Sequence, residues 1–303
     1  MVEERAFTAT LAQFFGTARG LRIGIGDDAA VVKNRAGNSV LCCDPVVQGV
    51  HFTAQDPPHD VGRKAVNRNL SDLAAMGAVA DWLLVSLVLP RGFPGRRRHA
   101  LLSGIRSAAR QAKCTVVGGD VATSKGPLVV TVTAVGHLPG RALRRSGARA
   151  GDTLHVTGPL GGSRRGDHLR FRPALREGVW LARQRAVHAA IDVSDGLLLD
   201  LHTLLSASGG LGAEIDARAL PISAAARRIA RGDPRSALQH ALADGEDHVL
   251  LWTQSPRALP AGGPLTSRAR RPIGRVLAER GLWLVHEGGR KRVLHEGFQH
   301  ALA

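Results

Sequence analysis

Tyrosine is absent from this chain of 303 residues, and aromatic residues make up only 4% of it. Surfaces that grip single-stranded nucleic acid interleave aromatic platforms with their basic groups. The net charge of +16 therefore does not by itself mark a nucleic-acid module. It arises from 36 Arg against 5 Lys, spread along the chain, and the densest runs, Arg96–Arg98 and Arg290–Arg292, are short. Solvated basic faces explain most of it, with guanidinium forks suited to phosphate. No specific nucleic-acid partner is expected. Cysteine is also scarce. The 3 present include adjacent Cys42 and Cys43 and form neither a disulfide framework nor a CxxC metal pattern. No apolar run approaches the ~18 residues of a membrane span. MVEERAFTATLAQFF lacks the basic start and apolar core of a secretory signal. No membrane partner and a cytoplasmic location are the expectations. The hydrophobic share of 44% is enough for real cores, and at ~150 residues per domain the length predicts two.

What is present centres on Val61–Ala80, VGRKAVNRNLSDLAAMGAVA. Leu70, Leu73, Ala74 and Gly77 recur at helical spacing, so one face can pack into a core. Asp72 lies off that stripe and is either solvated or functional. Upstream, a helix is expected near Phe7–Thr17 and a strand over Leu21–Ile25. Asp27-Asp28 then form an ordinary turn or a pair of hard oxygen ligands for Mg²⁺. SVLCC is a strand ending on Asp44. His51, in QGVHF, reads on its own as a satisfied loop histidine. ADWLLVSLVLP is a buried strand, Arg97–Ala112 an amphipathic helix, and TVVGGD a strand running into Gly118-Gly119-Asp120. In PLVVTVTAVGH, Val130, Val132 and Ala134 alternate with Thr131 and Thr133, the pattern of a half-buried strand.

The texture changes near Leu138–Gly140, which predicts domains at 1–138 and 139–303. A strand at Thr153–Thr157 leads into Gly158–Gly166, GPLGGSRRG, either a phosphate cradle or a flexible connection. A helix is expected over Pro173–Val187. Asp192 then ends a strand, and Ser194-Asp195-Gly196 reads as a helix N-cap. GLLLDLHTLLSAS is a helix, GAEID a strand, and DGEDHVLLWTQ a turn into a strand.

Asp27/Asp28, Asp44, Asp72, Asp120 and Asp192/Asp195 sit at strand ends or on one helix, far apart in sequence. Carboxylates gathered on one rim repel unless divalent cations neutralise them. That favours metal-assisted phosphoryl transfer over covalent catalysis.

The pieces GIGDDAAVV, DPVVQGVHF, NLSDLAAMGA, VVGGD, GRALRRSGARAGDTLHVTG, IDVSDGLLLDL and DGEDHVLLWT run in order from about Ile23 to Thr253. In this the chain resembles the thiamine-monophosphate kinases, which share a superfamily with aminoimidazole ribotide synthetase, HypE and selenophosphate synthetase. The HF dipeptide after Asp44 and the long NLSDLAAMGA resemble the thiamine branch more than its siblings.

The resemblance implies an α/β (α+β), two-domain PurM-like fold. Its N-terminal domain of sheet and helices would bind ATP and Mg²⁺ and pair into a dimer barrel. Its C-terminal α/β domain would cover it, with ATP in the cleft between. It implies a homodimer that passes the γ-phosphoryl of ATP directly to thiamine monophosphate. Asp28, Asp44, Asp72, Asp120, Asp192 and Asp195 match Mg²⁺ ligands, with Asp72, Asp192 and Asp195 central to catalysis. Gly119, Asp120, Arg145 and Ser194 match nucleotide contacts. His51 and Glu246 match positions that meet the thiamine phosphate, a role that displaces the loop reading of the histidine. Phe298 matches an aromatic over the substrate ring. Departures are Cys42-Cys43 where Ser/Thr is usual, a shortened segment after Gly158–Gly166, GEDHV in place of GEDYE, and no nucleotide-stacking Tyr. A sibling ATP-dependent enzyme and a non-catalytic nucleotide-binding protein are the alternatives.

Overall fold

The structure, a computed structural model, describes residues 4–25, 29–33, 37–163, 167–295 and 297–298. Asp27 and Asp28 lie outside the described residues, as do Arg164–Gly166. The chain divides into two compact units, one of residues up to 73 with 79–139, the other of 74–78 with 140–303.

In the first unit the elements run α1 (Glu4–Phe15), β1 (Leu21–Ile23), β2 (Val31–Val32), β3 (Ser39–Val47), α2 (Pro58–Ala75), β4 (Val79–Pro90), α3 (Gly95–Gln111), β5 (Thr115–Ser124) and β6 (Val129–His137). β1 and β2 pair on their own, while the other four form a sheet in the order β3-β6-β4-β5. β6 is antiparallel to both its neighbours, and β4 and β5 run parallel. Alternation in β6 is as the sequence suggested, with Val130, Val132 and Ala134 all fully buried. Each such valine stabilises the fold by roughly 1.5–3 kcal/mol.

Helix α2 buries Val61, Ala65, Leu70 and Leu73, and α3 buries Leu101, Leu102, Ile105, Ala108 and Ala109. The two helices approach backbone to backbone. A Cβ added at Gly104 would stand 1.9 Å from the His59 carbonyl oxygen, and one at Gly62 would stand 2.2 Å from that of Leu101. The opposite face of the sheet is open in this chain, with Leu41 66% and Leu84 40% exposed.

The second unit holds β7 (Thr153–Val156), α4 (Leu175–Ala182), β8 (Val187–Asp192), α5 (Leu197–Ala207), β9 (Gly212–Asp216), α6 (Ala224–Ile229), α7 (Ala237–Ala243), β10 (Leu250–Gln254), β11 (Gly274–Leu277), β12 (Gly281–His286) and β13 (Gly289–Val293). The strand order is β13-β12-β9-β11-β7-β10-β8, antiparallel at every pairing except β12 with β9. Both faces are covered at β8 and β10. Every residue of β10 is buried: Leu251 joins the core under α5 with Leu197, Leu201 and Ile191, while Leu250 and Trp252 join Leu181 and Leu143 on the other side. The class is mixed α/β. Among the described residues no helix is long and apolar enough to cross a membrane.

The helix expected over Pro173–Val187 is shorter. It stops at Ala182, and after a turn in which the Gln184 N–H bonds to the Leu181 carbonyl, Val187 opens β8. Burial decides this: Val187, Ala189 and Ile191 are inserted into the core as strand residues.

Candidate active site

In the first unit Asp44 and Asp72 meet around one thiol. Cys42 precedes Asp44 by two residues on β3 and so shares its face, the face α2 covers. Its Sγ donates to the Asn69 carbonyl on α2 at 3.3 Å. Burial first, then the charges of Asp72 and Asp44, push the thiol far above its usual range. The thiol form is thus favoured beside these two carboxylates, its one S–H directed to the Asn69 carbonyl. Asn69, fully buried, accepts the Asp44 N–H at 2.9 Å and donates to the Asp44 and Ala65 carbonyls at 3.4 and 3.1 Å.

Asp120 stands further across the sheet. Asp44 registers with Val132, Val132 with Val85, and Val85 with Gly119, so Asp120 lies about three strand spacings away, roughly 14 Å. Gly119 has φ +152°, and a Cβ there would sit 1.8 Å from the Val85 carbonyl oxygen. Only glycine lets β5 close on β4 at that point. A cavity of 90 Å³ beside Gly119 and Asp120 is walled by Leu11, Phe15, Leu87 and Leu102.

His51 is 9% exposed. Its Nδ1 accepts the Val47 N–H at 3.0 Å, which leaves Nε2 to carry the proton of the neutral ring. The fully buried Lys64 donates to the His51 carbonyl at 2.7 Å.

In the second unit two distant segments come onto the turn Ser194-Asp195-Gly196. The Glu246 N–H bonds to the Ser194 carbonyl at 2.7 Å, and the Phe298 N–H bonds to that of Asp195 at 2.9 Å. The turn is not the side-chain N-cap the sequence suggested. Gly196 caps α5 without a side-chain bond. Instead Asp200, one turn along α5, accepts the N–H groups of Asp195 and Gly196 at 3.0 and 3.1 Å. Burial lifts Asp200 to about 7. Asp192, 4% exposed, ends β8 just before this turn. Arg145 lies on the segment beside β8, exposed, with its carbonyl accepting from Ser208.

The stretch Asp244-Gly245-Glu246-Asp247-His248 organises the rest. Asp247 accepts the Gly161 N–H and the Ser163 hydroxyl at 3.0 and 2.5 Å, and Asp244 accepts the Gly162 N–H at 2.9 Å. Those two amides are thus held by carboxylates, which rules them out as a ready phosphate cradle. Burial pushes Asp247 up to about 6. His248 is 3% exposed. Its Nε2 lies 3.1 Å from a Glu246 carboxylate oxygen and its Nδ1 3.5 Å from Asp192, while its ring stacks on Phe171 at 4.1 Å. Burial alone would depress this imidazole, but the carboxylates of Asp192 and Glu246 outweigh it and lift it to about 9. Sequence reasoning missed Asn69, Asp200, Asp247 and His248. Asn69, Asp247 and His248 act through contacts with distant segments and Asp200 through the backbone of its own turn, and only the unusual His in GEDHV gave a signal.

Among the described residues no group of three or more His, Cys, Asp or Glu could hold a metal ion. The Asp44–Asp72 pair alone has the character of a Mg²⁺ site, since that ion takes one or two carboxylates and completes its shell with water and substrate phosphates.

The family described as AIR synthase related protein, N-terminal domain, matches residues 26–138. A thiamine-monophosphate kinase of Rhodopirellula baltica is 38% identical across 98% of this chain and 97% of its own. The chain belongs to the thiamine-monophosphate kinase family. The crystal structure of a thiamine-monophosphate kinase from Stenotrophomonas maltophilia K279a superposes with TM-score 0.80 at 33% identity, covering 93% of this chain and 96% of that one. The structure described as AaThiL complexed with AMPPCP and TMP gives TM-score 0.78 at 28% identity, covering 99% and 97%. The thiamine-monophosphate kinase likeness thus runs through both units, beyond the N-terminal stretch that the family description matches.

Proposed function

We propose that this protein phosphorylates thiamine monophosphate to thiamine diphosphate at the expense of ATP, by direct in-line transfer. The observation that carries it is the turn at Ser194–Gly196, onto which Glu246 and Phe298 are drawn from segments 50 and more residues away. The positions to which the family resemblance assigns nucleotide (Ser194), metal (Asp195) and substrate (Glu246, Phe298) meet at this one backbone junction, which supports the reading.

Phosphoryl transfer depends on positioning and charge neutralisation more than on a protein nucleophile. Asp28, Asp44, Asp72, Asp120, Asp192 and Asp195 would hold Mg²⁺, with Asp72, Asp192 and Asp195 nearest the chemistry. When bound, the ion neutralises charge on the transferring phosphates. Gly119, Asp120, Arg145 and Ser194 would bind ATP. His51, through Nε2–H, would donate to the thiamine phosphate, Glu246 would bind the same substrate, and Phe298 would cover its ring. The functional domains are proposed as 1–138 and 139–303. The open face of the β3-β6-β4-β5 sheet, bearing Leu41 and Leu84, supports a homodimer built through a closed barrel, working in the cytoplasm where ATP is supplied.

The test is a direct assay of thiamine diphosphate from purified protein, ATP, Mg²⁺ and thiamine monophosphate. Product that requires all three supports the reading. ATP consumption with other small substrates but not this one would move the protein to a sibling activity.

A further inference from the structure

We propose that His248 is a positioning residue that fixes Glu246 and Asp192 relative to each other, one ring nitrogen to each carboxylate; this rests on the kinase reading above. A core histidine of the ordinary kind occurs in the same unit. His155 stacks on Trp252 and turns its nitrogens to a hydroxyl and a backbone carbonyl. His248 is placed differently. Both its nitrogens face carboxylates: Nε2 is hydrogen-bonded to Glu246 at 3.1 Å, and Nδ1, which makes no hydrogen bond, stands within ion-pair reach of Asp192 at 3.5 Å.

The backbone is bent to achieve this. Glu246 and His248 hold φ of +58° and +50°, a conformation that non-glycine residues rarely adopt. Their N–H groups bond to the carbonyls of Ser194 and Val193, each at 2.7 Å, which locks the strained segment beside the Ser194–Gly196 turn. Phe171 stacks on the imidazole with its plane 18° from parallel and fixes the ring plane. A rigid planar group between two acids sets their separation and aim. The arrangement couples a carboxylate assigned to the metal with one assigned to thiamine monophosphate.

The two contacts can be separated by side-chain length. Glutamine places its amide near the Nε2 position, and asparagine places its amide near Nδ1. His248→Gln should keep the Glu246 contact and lose that to Asp192, and His248→Asn should do the reverse. Calorimetry would measure binding of Mn²⁺, and separately of thiamine monophosphate, in the presence of a methylene-bridged ATP analogue. The expectation for His248→Gln is Mn²⁺ affinity weakened about tenfold with thiamine monophosphate within about threefold, and the opposite split for His248→Asn. Phe171→Ala, which frees the ring without touching either acid, should weaken both together and serves if the histidine variants do not fold. Equal losses in the two histidine variants, or none, would overturn the proposal, as would Phe171→Ala binding like wild type. Wild-type protein that binds Mn²⁺ but not thiamine monophosphate would instead sink the kinase reading, and the glutamine variant would still decide the Asp192 contact. Wild type that binds neither would overturn both.

Discussion

Asn69 does for Asp44 what a neighbouring strand would do, pairing with both its N–H and its C=O. Asn69→Ala leaves those part-buried groups without that partner, so stability should fall by about 1 kcal/mol. Turnover should fall further, because Asp44 loses its fixed place beside Asp72. Urea midpoints and rates measured on the same sample would check both. His155 offers a cleaner test of burial. Burial depresses its imidazole to about 4 from an ordinary 6.5. The stability that comes from keeping the ring neutral is therefore present above pH 6.5 and is lost as pH falls toward 4. His155→Phe should flatten the stability profile across that window. An unchanged profile would show that His155 is not the sensitive group. At this scale the sequence revealed which acids matter but not what holds them. Asp200 and Asp247 look like any helix or turn acid until their amide partners, supplied by loop backbone, are seen.

At the scale of elements the register of β4 and β5 brings Gly119 against the Val85 carbonyl. Gly119→Ala should force the strands apart, costing several kcal/mol, roughly the upper range for single substitutions, and weakening ATP binding. Thermal melts with and without nucleotide would separate those effects, and a variant as stable as wild type would contradict the close approach. Most elements were legible because their apolar spacing was long and regular, as in α3 and β6. The failures came where tertiary packing overrode local pattern. The segment after Ala182 carries no strong helix stop, and it leaves the helix because β8 is needed in the core. The Gly158–Gly166 loop was ambiguous because glycines suit a phosphate cradle and a carboxylate-tied turn equally.

For the whole molecule, the open sheet face makes the proposed dimer testable. Leu84→Glu should turn the sedimentation profile from dimer to monomer and leave the isolated fold intact. A variant that stays dimeric would place the interface elsewhere. Family, mixed α/β class and the order of the motifs could all be read from the sequence, because glycine- and aspartate-rich turns keep their spacing. Strand order could not, since it is set by pairings between residues far apart in the chain, from Trp82 with Thr115 to Arg275 with Thr153.

That order has a consequence for how the protein is made. β7, at 153–156, lies between β10, at 250–254, and β11, at 274–277. A ribosome must therefore deliver about a hundred further residues before either edge of β7 finds its partner. During that interval an apolar strand with two open edges is exposed to the crowded cell, the situation in which chains aggregate or recruit chaperones. Formation of the second unit should thus be slow and late, and the yield of folded protein should depend more on translation speed and chaperone supply than on the stability of the finished molecule.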